Sequence, residues 1–117
     1  MPAYNFKDQF ADLVEQGIKR QTIRPRRKRS TKPGDTLYLY TGMRTKACRK
    51  LAEARCRAVE RVDIGKRAIW VDGTWLCAEE RLLFVRADGF ESEASFFEFF
   101  EAMYGLPLID KMKLIKW

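Results

Sequence analysis

The chain has no histidine among its 117 residues, so acid or base work within it falls to Lys, Asp, Glu, Tyr or Cys. Ser-His, Cys-His and His-metal chemistry is thereby excluded. One segment concentrates reactive side chains at suggestive spacing. Gly17-Ile18-Lys19-Arg20-Gln21-Thr22-Ile23-Arg24 has the form GxKxxTxR. If Gln21 to Arg24 is extended, Thr22 and Arg24 project to one face, because strand side chains alternate with period two. Lys19 would arrive from a preceding turn, where Gly17 permits a sharp bend. Arg24 then offers a planar fork for a phosphate or a carbonyl-bearing base edge, Lys19 a compact cation or, once desolvated, a base, and Thr22 a hydroxyl. Each residue alone has a plainer reading: Thr22 as β-branched strand filler, Lys19 as a cation at a helix C-terminus, Asp88 as a turn residue before Gly89. For any one of these residues taken alone the plainer reading is the commoner one.

Charge points the same way. The chain carries 23 Lys and Arg against 16 Asp and Glu, a formal +7. Residues 1–57 hold 15 basic and 5 acidic side chains, and residues 58–117 hold 8 and 11, so the excess lies wholly in the first half. A positive surface of this kind favours polyanions such as nucleic acid or phosphorylated ligands. Arg26, Arg27, Lys28, Arg29 and Lys32 form one cluster, and Arg44, Lys46, Arg49 and Lys50 a second. A solvated surface run is the commoner meaning of such clusters. RNA or unpaired strands suit them better than a DNA major groove, because no helix-turn-helix or zinc-finger pattern is present.

These side chains need a scaffold. The length suits one domain spanning residues 1–117, and 46% hydrophobic with 33% charged residues is a globular balance rather than a disordered one. The longest apolar runs, such as Leu82 to Val85, are far short of the roughly 20 residues a membrane span needs. The N-terminus lacks a basic stretch followed by an apolar one, so the expected location is cytoplasmic. Cys48, Cys56 and Cys77 are odd in number and lack CxxC spacing, which predicts inert or buried thiols with neither a disulfide framework nor a zinc site; no cofactor is expected, and no metal ligand is singled out.

Phe6, Phe10, Leu13 and Val14 share a helical face that Gly17 can end, so the first element is predicted to be a helix. A short strand over Gln21 to Arg24 stops at Pro25, and Arg26 to Arg29 follow as an exposed loop. Pro33-Gly34-Asp35 is a turn and Thr36 to Thr41 a strand. Thr45 to Ile64 fits both helical and alternating periods, and Asp72-Gly73 signals a two-residue hairpin. Glu79 to Ala87 reads as a helix stopped by Gly89. A second helix, capped by Ser92 or Ser95, carries four phenylalanines that read as core, and Lys113 to Trp117 closes the chain as a strand. The mixture indicates an α+β domain built on a small mixed sheet or barrel.

GxKxxTxR, the Pro33-Gly34-Asp35 turn, Leu37-Tyr38-Leu39-Tyr40-Thr41-Gly42, Asp88-Gly89-Phe90, the Phe-rich helix ending Tyr104-Gly105 and the final strand ending in Trp117 together resemble the ASCH domain of the PUA-like superfamily. The resemblance covers nearly the whole chain. It implies a small PUA-like mixed β-barrel flanked by α-helices, with a barrel strand after Leu51. Small members of that family include amidohydrolases that remove the acetyl group of N4-acetylcytidine with a Lys, a Thr and a Glu. Lys19 and Thr22 match two of these, and the third falls to Asp88, with Glu91 and Glu79 as substitutes. The family also implies RNA or nucleotide binding, for which the candidates are Arg20, Arg24, Arg26, Arg27, Lys28, Arg29, Tyr40, Arg44 and Lys46. Three expectations stand together: an RNA- or nucleotide-binding module, a hydrolase on the same platform, and an interaction module with an acidic partner. The hydrolase would be an acylcytidine amidohydrolase, or a ribonuclease using Lys19, Arg24 and Tyr38 or Tyr40, or a metal held by carboxylates.

Overall fold

Phe6 marks the first difference between the sequence reading and the fold. A computed structural model describes residues 2–117 as an α+β arrangement of three helices and two sheets. Phe6 lies not on the first helix but in β1 (Ala3–Phe6), which pairs in parallel with β3 (Thr36–Thr41). Its spacing to Phe10 imitates a helical i, i+4 pair, yet extended Lys7 separates the strand from α1 (Asp8–Glu15). The partner of β1 lies more than thirty residues away, beyond the reach of local periodicity.

α1 ends as expected, at Gly17. The Gly17 and Ile18 amides donate to the carbonyls of Val14 and Leu13 at 3.1 and 2.9 Å, and Gly17 takes a φ of +75°. This is a Schellman stop, which needs a left-handed residue. It turns the chain directly into β2 (Gln21–Pro25), the strand predicted from the motif. β3 also has the expected bounds, and it pairs antiparallel with β4 (Arg49–Arg55).

The ambiguous stretch from Thr45 to Ile64, for which the resemblance implied a barrel strand after Leu51, holds two strands in two sheets. Alternation runs from Ala52 in β4 across the corner to Ala58, the first residue of β5 (Ala58–Ile64), so periodicity could not show the corner between them. At that corner the Cys56 amide bonds to Asp35 on the β3 side at 2.8 Å, and the Arg57 amide bonds to Lys116 of the other sheet at 2.7 Å. The second sheet has the order β2-β8-β5-β6-β7, with β8 (Leu108–Lys116) between β2 and β5. β6 (Ile69–Val71) and β7 (Thr74–Trp75) form the hairpin expected at Asp72-Gly73, whose φ values of +48° and +82° fit its tight turn.

α2 (Ala78–Ala87) ends in a second Schellman stop. The Gly89 and Phe90 amides bond to Arg86 and Val85 at 3.0 and 2.9 Å, with Gly89 at φ +97°. Ser92, rather than Ser95, caps α3 (Glu93–Tyr104); the two serines bond each other's amides reciprocally, and Glu98 takes no part. Leu37, Leu39, Val62, Ile64, Ile69, Phe96 and Leu114 are wholly buried between the layers. Burial of each stabilises by about 1.5–3 kcal/mol. Of the three thiols expected to be inert or buried, Cys56 is buried, whereas Cys48 and Cys77 are exposed. No helix among the described residues is long and apolar enough to cross a membrane.

The two sheets meet along a second line, between the edges of β1 and β2. No backbone ladder joins these strands; side chains do. Arg24 donates to the Asn5 carbonyl at 2.8 Å, and Arg27 to the Ala3 carbonyl at 3.2 Å. Those alternate carbonyls lie on the β1 edge left open by its pairing with β3.

Candidate functional site

Both Schellman stops deliver a side chain to the same place. The first is followed by Lys19 and the second contains Asp88, and the two meet as an ion pair with Nζ 3.1 Å from Oδ1. Lys19 also donates to the Asp88 backbone carbonyl, a group that a helix end leaves without an intrahelical partner. Both side chains are almost fully buried. Two of the three Lys19 donor positions are thus taken by one residue, and its ammonium lies 5.0 Å from the Phe10 ring centroid. Gln21 donates to the same Asp88 oxygen at 3.5 Å.

Gly89 makes this approach possible. A Cβ there would stand 2.9 Å from a Phe10 ring carbon and 3.2 Å from Lys19 Cδ, in addition to the strain of a positive φ. At Gly17 nothing lies within 4 Å of an added Cβ, so only the strain applies. Gly17→Ala is therefore expected to cost about 1–2 kcal/mol, and Gly89→Ala clearly more. Urea unfolding midpoints of the two variants measure the difference, and equal midpoints would show that the close approach at Gly89 is unimportant.

Burial dominates the electrostatics of the pair. It pushes the Lys19 ammonium down from the ordinary lysine range, with the Asp88 charge and hydrogen bond partly opposing and Arg24 adding to the shift. It pushes the Asp88 carboxyl up, with Lys19 opposing. Both shifts favour the uncharged forms.

Thr22 and Arg24 lie on one face of β2, as alternation predicts, and Arg24 Nε donates to Thr22 Oγ1 at 2.9 Å. Thr22 is buried, and Arg24 is half-buried with its guanidinium 4.9 Å from the Phe6 ring centroid. Lys19, Thr22, Arg24 and Asp88 all line one cavity of about 230 Å³ at the β1–β2 seam. Its other walls are largely aromatic: Phe6, Phe10, Phe90, Phe99, Phe100 and Tyr104, with Met103 and Asn5.

The remaining expected site residues are spread more widely. Arg27 and Arg29 line a separate open groove of about 530 Å³ with Pro2, Thr31, Asp35 and Tyr38. Arg26 is exposed and paired with Asp110 at 3.1 Å. Lys28 is exposed in the same loop. Arg20 lies outside the cavity and donates to the Trp117 carbonyl at 3.1 Å, tying β2 to the end of the chain. Tyr40 sits on the face of β3 opposite the buried Leu39 and Thr41, and Arg44 and Lys46 are exposed in the β3–β4 loop. Of the three candidate carboxylates, Asp88 alone lines the cavity; Glu79 and Glu91 are exposed. Among the described residues, no group of His, Cys, Asp and Glu is arranged to hold a metal ion.

The sequence reading placed the phenylalanines of α3 in the core. Phe96 and Phe100 are buried there, but Phe99 and Phe100 also face the cavity. The signal was present in the helix itself: four phenylalanines within five residues cover more of the circumference than one core contact can bury. Comparison of the chain with protein-family models, curated proteins and solved structures finds no match.

Proposed function

We propose that the cavity binds a single nucleobase and hydrolyses an amide on it, the substrate class being an N4-acylated cytosine. The observation that carries this reading is the convergence of Lys19, Thr22, Arg24 and Asp88 on one aromatic-walled cavity. At about 230 Å³ it falls below the roughly 300–1,000 Å³ of sites for drug-sized ligands. One ring with a small substituent fits; a stacked run of bases does not. Phe and Tyr faces supply stacking surface, worth about 1–3 kcal/mol per base. On this reading the two sheets, joined through the Cys56-Arg57 corner and bridged by arginines at β1–β2, form an ASCH-type domain of PUA-like architecture, with the seam as its binding mouth.

The chemistry runs through Thr22. Neutral Lys19 takes the Thr22 hydroxyl proton as the oxygen attacks the amide carbonyl, and the guanidinium of Arg24 stabilises the negative charge that develops. Collapse of the tetrahedral intermediate breaks the C–N bond. The proton held by the Lys19–Asp88 pair passes to the departing exocyclic amine. Water, activated by the same pair, then cleaves the Thr22 ester and restores the hydroxyl. Thr22 and Lys19 share the cavity without a hydrogen bond between them, and such contacts commonly tighten only with substrate bound.

A pH profile tests the assignment. Activity requires Lys19 to be neutral, so kcat/KM is expected to rise with pH, with its midpoint below the ordinary lysine value of about 10.4. Asp88 holds the Lys19 proton more tightly, so Asp88→Asn should move that midpoint to lower pH while reducing the plateau rate. A rising limb that stays put in Asp88→Asn would assign the base to another group. Absence of any turnover of N4-acetylcytidine by the wild type would remove the amidohydrolase reading altogether.

A further inference from the structure

Gln21 is a buried amide at a position where the fold alone asks for an apolar side chain. It is 7% exposed, and alternation puts it on the face of β2 opposite Thr22 and Arg24. Its neighbours on that side include Val71, Leu76, Phe84 and Leu114. The two charged groups beside them are already engaged: Glu80 accepts the Cys77 amide at 2.9 Å, and Lys116 is paired with Glu60 at 2.5 Å. Burying an amide among such neighbours carries a cost that a leucine or a methionine would not incur. Among the described residues its side chain has a single hydrogen-bond partner, Oδ1 of Asp88, at a long 3.5 Å.

That contact falls on a particular oxygen. Lys19 Nζ donates to the same Oδ1 at 3.1 Å, and neither donor reaches Oδ2. No buried side-chain oxygen among the described residues lacks a partner, so Oδ2 is the oxygen that opens on the cavity Asp88 lines. Gln21 itself does not line that cavity. Its donor acts on charge as well as on orientation. When Lys19 gives up its proton, Asp88 keeps a full negative charge, which the Gln21 hydrogen bond stabilises; while Lys19 is charged, that charge is already largely compensated. Gln21 therefore favours the deprotonated pair and opposes the effect of burial on Asp88. Arg24 of β2 is the other charge that acts on the pair. β1 and α1 present the rings of Phe6 and Phe10 to the ammonium, and the remaining titratable groups lining the cavity, Lys7 and Tyr104, are exposed.

We infer that Gln21 is a positioning residue of the site, which holds the Asp88 carboxylate with Oδ2 turned to the cavity and loosens the grip of the Lys19–Asp88 pair on its proton. The inference rests on the reading of Lys19 as the base and names the group that tunes it. Gln21 touches no substrate on this account and acts wholly through Asp88.

The test is the titration of Lys19, followed by NMR of the full chain labelled with carbon-13 at the lysine ε-carbons. Gln21→Met keeps the length of the side chain and removes the donor, and a melting curve confirms that the variant is folded. Its Lys19 midpoint is expected to rise by about half a pH unit, opposite in sign to the fall expected for Asp88→Asn. Gln21→Glu should raise the midpoint further, because the fully deprotonated cluster then carries two negative charges. Adding Gln21→Met to Asp88→Asn should leave the midpoint where Asp88→Asn alone puts it, since the charge through which Gln21 acts is gone. The rising limb of kcat/KM should move with the NMR midpoint. A Lys19 midpoint unchanged in Gln21→Met, or a shift of equal size with and without the Asp88 carboxylate, overturns the assignment. Failure of the amidohydrolase reading looks different: the wild type leaves N4-acetylcytidine intact while the Lys19 shifts stand, and Gln21 is then still the group that tunes the pair.

Discussion

Thr22→Val is expected to lower kcat/KM for amide hydrolysis by about 10³-fold or more, while changing the affinity for a cytidine ligand only a few-fold. Valine has the shape of threonine and suits a strand, so β2 and its pairing with β8 should persist. What disappears is the oxygen proposed to attack. The hydroxyl also accepts the Arg24 Nε hydrogen, and leaving that half-buried donor without a partner should cost about 1 kcal/mol of stability. The two effects separate cleanly: stability measured by urea unfolding changes little, turnover changes greatly. A Thr22→Val variant that hydrolyses within tenfold of the wild type would mean that water attacks directly and that Thr22 merely positions Arg24.

Asp88→Ala carries the second large expectation, and it concerns the fold. Lys19 and Asp88 compensate each other in a site where both are almost fully buried. Removing one partner leaves a buried cation, which typically costs about 3–5 kcal/mol. The cost should depend on pH in a definite sense. Without Asp88, the folded-state pKa of Lys19 falls further below its unfolded value, so the unfolded chain binds more protons in that window. Stability of the variant therefore rises with pH as Lys19 becomes neutral, and the penalty shrinks toward pH 10. The double replacement Lys19→Met with Asp88→Leu should recover most of the lost stability without recovering activity. Glu15→Ala serves as a surface control: its partner Arg49 is about half exposed, so the loss should be under about 1 kcal/mol. A single Asp88→Ala penalty no larger than this control would mean that the pair is not the buried couple described.

Much of the site was legible in the GxKxxTxR segment, for a physical reason. Gly17 marks a helix stop, the following residues alternate, and the side chains of Thr22 and Arg24 must then share a face whatever surrounds them. Asp88 was legible less directly. Its carboxylate lies 69 residues from Lys19, and composition alone could not rank it against Glu79 or Glu91; Gly89 beside it, as a second helix stop, is the local mark it shares with Lys19. The cavity walls were not legible. Phe6, Phe10, Phe90 and Phe99 come from four separate segments, and each has a sufficient explanation as core. β1 was hidden because Phe6 and Phe10 coincide with helical spacing, and the β4–β5 corner because the alternation does not break there. Net charge located the basic half but could not say which cations had partners. Arg26 and Arg27 are adjacent in sequence, yet one is neutralised by Asp110 and the other stands against Tyr4 without a carboxylate.

The most direct measurement is a single-turnover incubation of wild-type protein, in excess, with N4-acetylcytidine, followed by mass analysis of free cytidine and of the peptide containing Thr22. The account predicts release of cytidine and a transient acetyl group on Thr22, both lost in Thr22→Val. Intact N4-acetylcytidine after prolonged incubation, or cytidine release that proceeds equally in Thr22→Val, would contradict it.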